Sequence, residues 1–244
     1  MILLVVDTSL QGLTVGLVQL DGKAFNILEI YGSNQPQEAA ARLPELCQGL
    51  LSKQKLSLSE VTDLLIGKGP GSFTGIKIGL SFASGWKRAG TPIKIWGISS
   101  FRALLKQLPD VHTLVLPATQ TAGYFTHRDQ ISPSSSTQFG VFDLSHSAVI
   151  STIDSSTEGL TPMQPKDLGQ VSVLGRWPRV EEWLSAQGSK WNTLDTEGLH
   201  HSIVSSMVED FVANSDQLSE GNLLPIYLRK SAPEEKLDAA KAKN

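Results

Sequence analysis

The 244-residue chain contains one cysteine, Cys47, so no internal disulfide is available and a reducing compartment is the expected setting. It lacks any run of about 18 uninterrupted apolar residues, which excludes a membrane-spanning helix of the usual kind. No basic segment precedes the apolar run Ile2–Val6, and Asp7 cuts that run short, so it does not read as a secretory leader. The five histidines match neither His-Glu-x-x-His nor another tight ligand spacing, and His200 and His201, adjacent on a helix, are poorly placed to share a metal. Together these absences point to a soluble cytoplasmic protein without a resident metal. One further absence is local. Between Leu64 and Pro109 there is no Asp or Glu, whereas Lys68, Lys77, Lys87, Arg88, Lys94, Arg102 and Lys106 all fall there. With a net charge of −3 overall, the rest of the chain carries about ten net negatives. Such a stretch is either a basic surface for an acidic partner or phosphate, or a set of solvated helix edges.

What is present is ordinary globular composition, 40% hydrophobic and 18% charged. The length suits one large domain or two modest lobes and allows roughly 70–75% of the unfolded surface to be buried. Ile2–Val6 reads as a buried strand, Thr14–Leu20 and Lys23–Tyr31 as two more around an Asp21-Gly22 turn. Ala40, Leu43, Cys47 and Leu50 recur at helical spacing after Ser33–Pro36, with Pro44 expected to kink that helix. Leu64–Ile66 is a fourth strand, and a helix capped by Ser72 runs to about Arg88, ending at Ala89-Gly90. Ile93–Ile98 and Phe101–Leu108 supply a fifth strand and a short helix. Beyond Pro109 the pattern weakens. Strands are expected at Thr113–Leu116 and Val171–Leu174, a hairpin from Gly123–His127, and helices at Arg179–Ala186 and Leu199–Ala213. Ser132–Thr137 reads as a loop and the tail from Pro233 as frayed or disordered. The expected organisation is a first lobe over 1–108, a smaller second lobe over 109–196, a returning helix and strand over 197–232, and a tail over 233–244.

The richest segment is Gly67-Lys68-Gly69-Pro70-Gly71-Ser72-Phe73-Thr74-Gly75-Ile76-Lys77-Ile78-Gly79. It is not a P-loop, because Gly75 is followed by isoleucine rather than lysine. A dinucleotide fingerprint fails at Thr74, and a nucleophile elbow fails at Pro70 and Thr74. The glycines leave two readings, an anion-binding turn or a purely structural one. Asp7-Thr8-Ser9, closing the first strand, either holds magnesium or phosphate or caps a turn. Gly71, Gly75, Gly79 and Ala83 form a slanted stripe of small residues that invites close helix packing, inside the lobe or against another chain. Cys47 reads as packed in its helix core. No nucleophile–base dyad is evident.

Val6-Asp7-Thr8-Ser9, then Gly69–Gly79, then Pro225-Ile226-Tyr227-Leu228-Arg229, taken in that order, resemble the TsaB (YeaZ) family. The resemblance covers the first hundred residues well, the middle poorly and the end by one short motif. It implies the actin-like, sugar-kinase-like (ASKHA) α/β fold of two related lobes with mixed sheets. It implies too a non-catalytic subunit that supports a TsaD-type transferase, with a TsaE-type ATPase, in N6-threonylcarbamoyladenosine modification of tRNA. On that resemblance Asp7, Thr8, Ser9, Gly69 and Gly71 would be a vestigial ATP/ADP site. Ala40, Leu43, Cys47, Leu50, Gly75, Lys77, Gly79 and Ala83 would form the face for TsaD, or for a second copy when TsaD is absent, with tRNA reached indirectly. The sequence departs from the family where Lys77 replaces an arginine, where Asn34-Gln35-Pro36-Gln37 lacks a histidine, and where Pro117-Ala118-Thr119 replaces Asp-Ala-Arg. The competing readings are an active ATP-dependent kinase or ATPase of the same fold, and a protease. The first needs a second phosphate loop and an acid in the second lobe, the other a metal pair or nucleophile dyad, and none of these is found.

Overall fold

A computed structural model describes residues 1–10, 12–128, 137–144, 149–154, 160–162 and 168–227. The Ser132–Thr137 loop, apart from Thr137, and the tail beyond Tyr227 lie outside the described residues.

The apolar run at the start becomes β1 (Ile2–Asp7), the middle strand of a five-stranded sheet ordered β3-β2-β1-β4-β5. Its neighbours are β2 (Leu13–Asp21), antiparallel, and β4 (Asp63–Gly67), parallel. β3 (Ala24–Ser33) and β5 (Lys94–Ile98) form the edges. Successive side chains of a strand point to opposite faces, so a strand covered on both sides must be apolar throughout. Leu4 and Val6 pack into one core with α1 (Pro36–Lys53) and α2 (Phe73–Arg88). Leu3 and Val5 enter a second core with α3 (Ser100–Lys106) and α5 (His200–Asn214). The β2–β3 hairpin turns at Gly22-Lys23, one residue later than the Asp21-Gly22 signal, with Gly22 at φ +59°. Pro44 does not interrupt α1. It sits exposed within one continuous helix, at the cost of one bond to the carbonyl of Ala40.

The second sheet has seven strands ordered β10-β9-β8-β7-β6-β11-β12. β6 (Thr113–Pro117), β7 (Ala122–His127) and β11 (Val171–Leu174) are buried and central. β8 (Thr137–Asp143), β9 (Val149–Asp154), β10 (Leu160–Pro162) and β12 (Trp191–Leu194) were not legible beforehand. In each of them polar residues or glycine break up a few apolar ones, so no alternation long enough to read as a strand stands out in the sequence. α4 (Pro178–Ala186) covers this sheet through Val180 and Leu184. The chain then returns to the first sheet in α5, whose buried Asp210 accepts from Arg102 at 3.3 Å and Lys106 at 2.5 Å, both on α3. No strand follows through residue 227. Gly221 donates to Ile95 O at 2.8 Å and Ile226 to Lys68 O at 2.8 Å, but Pro225, lacking an N–H, prevents a regular ladder between them.

The core that contains Leu3 also contains Phe101, Leu104, Leu114, Leu116, Tyr124 and Leu174, so side chains of the two sheets share one apolar volume across α3. Leu104 is fully buried there. Leu104→Ala should destabilise the fold by ~2–5 kcal/mol, a transfer loss plus a cavity. Because both sheets share this core, urea denaturation should show one transition moved to lower denaturant rather than two.

Candidate functional site

The turn after β1 and the glycine loop before α2 are built against each other. Thr8 Oγ1 donates to Gly75 O at 2.6 Å, and Ser72 N donates to Ser9 O at 2.8 Å. A Cβ at Gly71 would stand 2.1 Å from Ser9 O, one at Gly75 1.8 Å from Thr8 O, and one at Gly79 2.7 Å from Thr8 Oγ1. Real Cβ atoms do not approach that closely, so these three positions must be glycine for α2 to seat on the end of β1. Ala83, the next step of the stripe, is fully buried in the core beside β1. The stripe therefore packs inside its own lobe. Gly69, at φ +92°, is joined to Pro70 by a cis peptide, and Ile76 Cδ1 and Ile226 O close over it.

Asp7 is 1% exposed and fully engaged by the chain. Its Oδ1 accepts from the N–H of Ser9 at 3.1 Å and of Leu10 at 2.9 Å. Its Oδ2 accepts from Ser9 Oγ at 2.8 Å and from Ser100 Oγ. Burial pushes the carboxyl above its ordinary range, and the hydrogen bonds from Ser100, Leu10 and Ser9 only partly offset it. Ser100, the first residue of α3, went unnoticed in the sequence; its only local signal is the Ser99 cap beside it, which accepts from Arg102 N at 3.3 Å. Asp7, Thr8 and Ser9 thus lie against Gly71, and against Gly75 from the set expected on a partner face, held by internal bonds. Among the described residues no three His, Cys, Asp or Glu gather as a metal site.

The α1 positions expected on a partner face need a correction. Leu43, Cys47 and Leu50 are 1%, 1% and 4% exposed and pack on Val6, Leu13 and Leu17. Burial pushes the Cys47 thiol up to about 12, which leaves it unreactive. Gly75, Gly79 and Ala83 face inward likewise, so of the eight residues only Ala40 and Lys77 are exposed. Helical periodicity found the buried face of each helix, and the outer face is the reverse of it. There α1 and α2 enclose a groove of about 600 Å³ between Ala40, Pro44, Phe73, Ile78, Ser81 and Phe82, with Leu43 at its floor. Along the crest of α2, Lys77, Ser81, Ser84, Gly85 and Arg88 line a shallower hollow of about 380 Å³. The Lys77 ammonium lies 4.1 Å from the Phe73 ring centroid.

Residues 28–120, which run from β3 through β6, match the family model described as TsaD: tRNA N6-adenosine threonylcarbamoyltransferase. The tRNA threonylcarbamoyladenosine biosynthesis protein TsaB of Escherichia coli K12 is 31% identical over 102 residues, 42% of each chain. Its namesake in Haemophilus influenzae is 29% identical over 110 residues, 45% of this chain and 44% of that one. YeaZ from Pseudomonas aeruginosa superimposes with a TM-score of 0.59 at 20% identity, over 93% of this chain and 99% of that one. Over these stretches the chain is similar to TsaB proteins, and its fold is that of YeaZ. The matched stretches span less than half the length of the two curated TsaB relatives. The family-model match, residues 28–120, includes α1, α2 and the glycine loop between β4 and α2. The two mixed sheets share the α/β fold of YeaZ from Pseudomonas aeruginosa.

Two outcomes follow from this geometry. Gly79→Leu should overpack the contact with Thr8, cost ~1–3 kcal/mol or more and lower the melting temperature. Calorimetry reads this directly, and an unchanged melting temperature would contradict inward packing. The second concerns pH. A carboxyl whose folded pKa is raised binds its proton more tightly folded than unfolded, so its stabilising contribution is complete below 3.8 and is lost as pH rises through the folded value. Asp7→Asn cannot ionise and lacks that decline. The stability of the parent relative to Asp7→Asn should therefore fall as pH climbs from about 4, measured by denaturant titrations across the range.

Proposed function

We propose that this chain acts in tRNA N6-threonylcarbamoyladenosine biosynthesis as an accessory subunit that binds a TsaD-type transferase and does no chemistry itself. The observation carrying this reading is the outer surface of α1 and α2. It pairs a largely apolar groove with a crest of small side chains, whereas the catalytic-looking residues Asp7, Thr8 and Ser9 are occupied by the chain's own donors and acceptors. A helix crest of Ser81, Ser84 and Gly85 lets another helix approach closely, and Phe73, Ile78 and Phe82 beside it supply apolar area. A nucleotide at Asp7 would have to displace Ser9 and Ser100 from a buried carboxylate, which disfavours ATP or ADP as a resident cofactor of this subunit. On this reading a TsaE-type ATPase and tRNA are reached through the transferase, and two copies pair through the same face when it is absent. A cytoplasmic setting agrees with this role, and none of the described helices is long and apolar enough to cross a membrane.

The crest is the place to test it. Ser81 is exposed, so Ser81→Trp should leave the fold intact while lowering affinity for the purified TsaD-type protein by about tenfold or more, as bulk inserted at a close helix contact does. Calorimetry with the purified pair measures this. Undiminished affinity would defeat the reading, and ATP hydrolysis by the chain alone would favour the kinase or ATPase alternative.

A further inference from the structure

After α5 the chain crosses back to the first lobe and lies along α2 on the side away from α1. Gly221 donates to Ile95 O on β5, and the Lys87 ammonium sits 3.0 Å from where a Gly221 Cβ would be. Five residues on, Ile226 donates to Lys68 O, and next to it the Tyr227 ring packs on Phe73 at 4.8 Å between centroids. Phe73, Leu80 and Lys87 are seven residues apart, almost two turns, and so share one side of α2. That helix length is ~21 Å, close to the reach of six extended residues. The strap thus runs the length of α2, antiparallel to it, from its last turn to its first. Leu223 enters the core that holds Leu80, and Ile226 the core on the other face of the sheet. Gly97 has no Cβ to keep Asn222 O at a distance, which lets the strap lie tight against β5.

Between these anchors the strap exposes what a free surface would hide. Leu224 is 75% exposed and Tyr227 41%, two of the four exposed large hydrophobics among the described residues. Beside them, Lys77, Lys87 and Arg88 project from α2, and none makes a salt bridge to a carboxylate among the described residues. We infer that the strap Gly221–Tyr227 is the second flank of the partner-binding face, with Leu224 and Tyr227 seating a partner protein helix whose apolar side is bordered by carboxylates. This rests on the proposed use of α1 and α2 for a TsaD-type partner and extends it. α1 supplies one wall of the face, the strap the other, and α2 the floor between them. The acid-free stretch makes the floor basic, so a partner carrying carboxylates gains where an uncharged one does not.

The test uses the full chain, the purified TsaD-type partner and unmodified tRNA as separate probes, with Leu224→Asp and Tyr227→Ala compared against Ser81→Trp. Leu224→Asp changes an exposed side chain, so its melting temperature should stay within a few degrees of the parent while partner affinity falls about tenfold or more. Tyr227→Ala should weaken binding in the same direction. Loss of affinity in Ser81→Trp with neither strap variant affected would overturn the strap and leave the α2 face standing. No effect from any of the three would remove the α2 face and the strap together. A large fall in melting temperature for Leu224→Asp would make it a structural residue and overturn the inference. So would a loss of tRNA binding with protein binding intact, which would assign the strap to nucleic acid.

Discussion

The end of β1 is held in the first turns of α2, and most of the first lobe is arranged around that contact. Thr8 and Ser9 present a hydroxyl and a carbonyl that are met by Gly75 O and Ser72 N, at distances only glycine permits at positions 71, 75 and 79. Interior glycine weakens a helix by up to ~1 kcal/mol each, so Gly75 and Gly79 within α2 need compensation, which close seating on the sheet supplies. Once α2 is seated, α1 closes over the same strands with Leu43, Cys47 and Leu50, and both helices are left with their other sides outward.

The same contact explains why residues of catalytic appearance are quiet. Asp7 ends β1 at the carboxyl edge of the sheet, where open α/β sheets in general bind ligands. Here its two oxygens take four donors from Ser9, Leu10 and Ser100. A buried carboxylate is tolerable when its acceptor capacity is filled, and the filling is done by the chain. Ser100 lies on α3, so the carboxylate also ties the first sheet to the helix that shares its core with the second.

Asp210 does comparable work on the opposite end of α3. It is 3% exposed and joins α5 to Arg102 and Lys106, so two of the seven cations in the acid-free stretch are absorbed into structure. Three of the others, Lys77, Lys87 and Arg88, are exposed on α2. They border a groove, a small-residue crest and a strap with exposed apolar side chains.

Local pattern determined much of the first lobe. The run Leu3–Val6 is apolar at every position because both faces of a central strand are covered, and Ser72 and Ala89-Gly90 bound α2 through capping chemistry within a few residues. The periodicity of Ala40, Leu43, Cys47 and Leu50 and the stripe from Gly71 to Ala83 identified helices and their packed sides. It did not identify what they pack on, since a buried face looks the same in sequence whether its cover is the same lobe or another chain. Ser9 meets Ser100 across 91 positions, and Phe73 meets Tyr227 across more than half the chain, pairings that no local pattern records. β8, β9, β10 and β12 carry too little regular alternation of apolar and polar residues to read as strands from sequence alone. Which helix faces turn inward, which groups satisfy Asp7, and where the strap lies were decided only when the tertiary structure brought distant segments into contact.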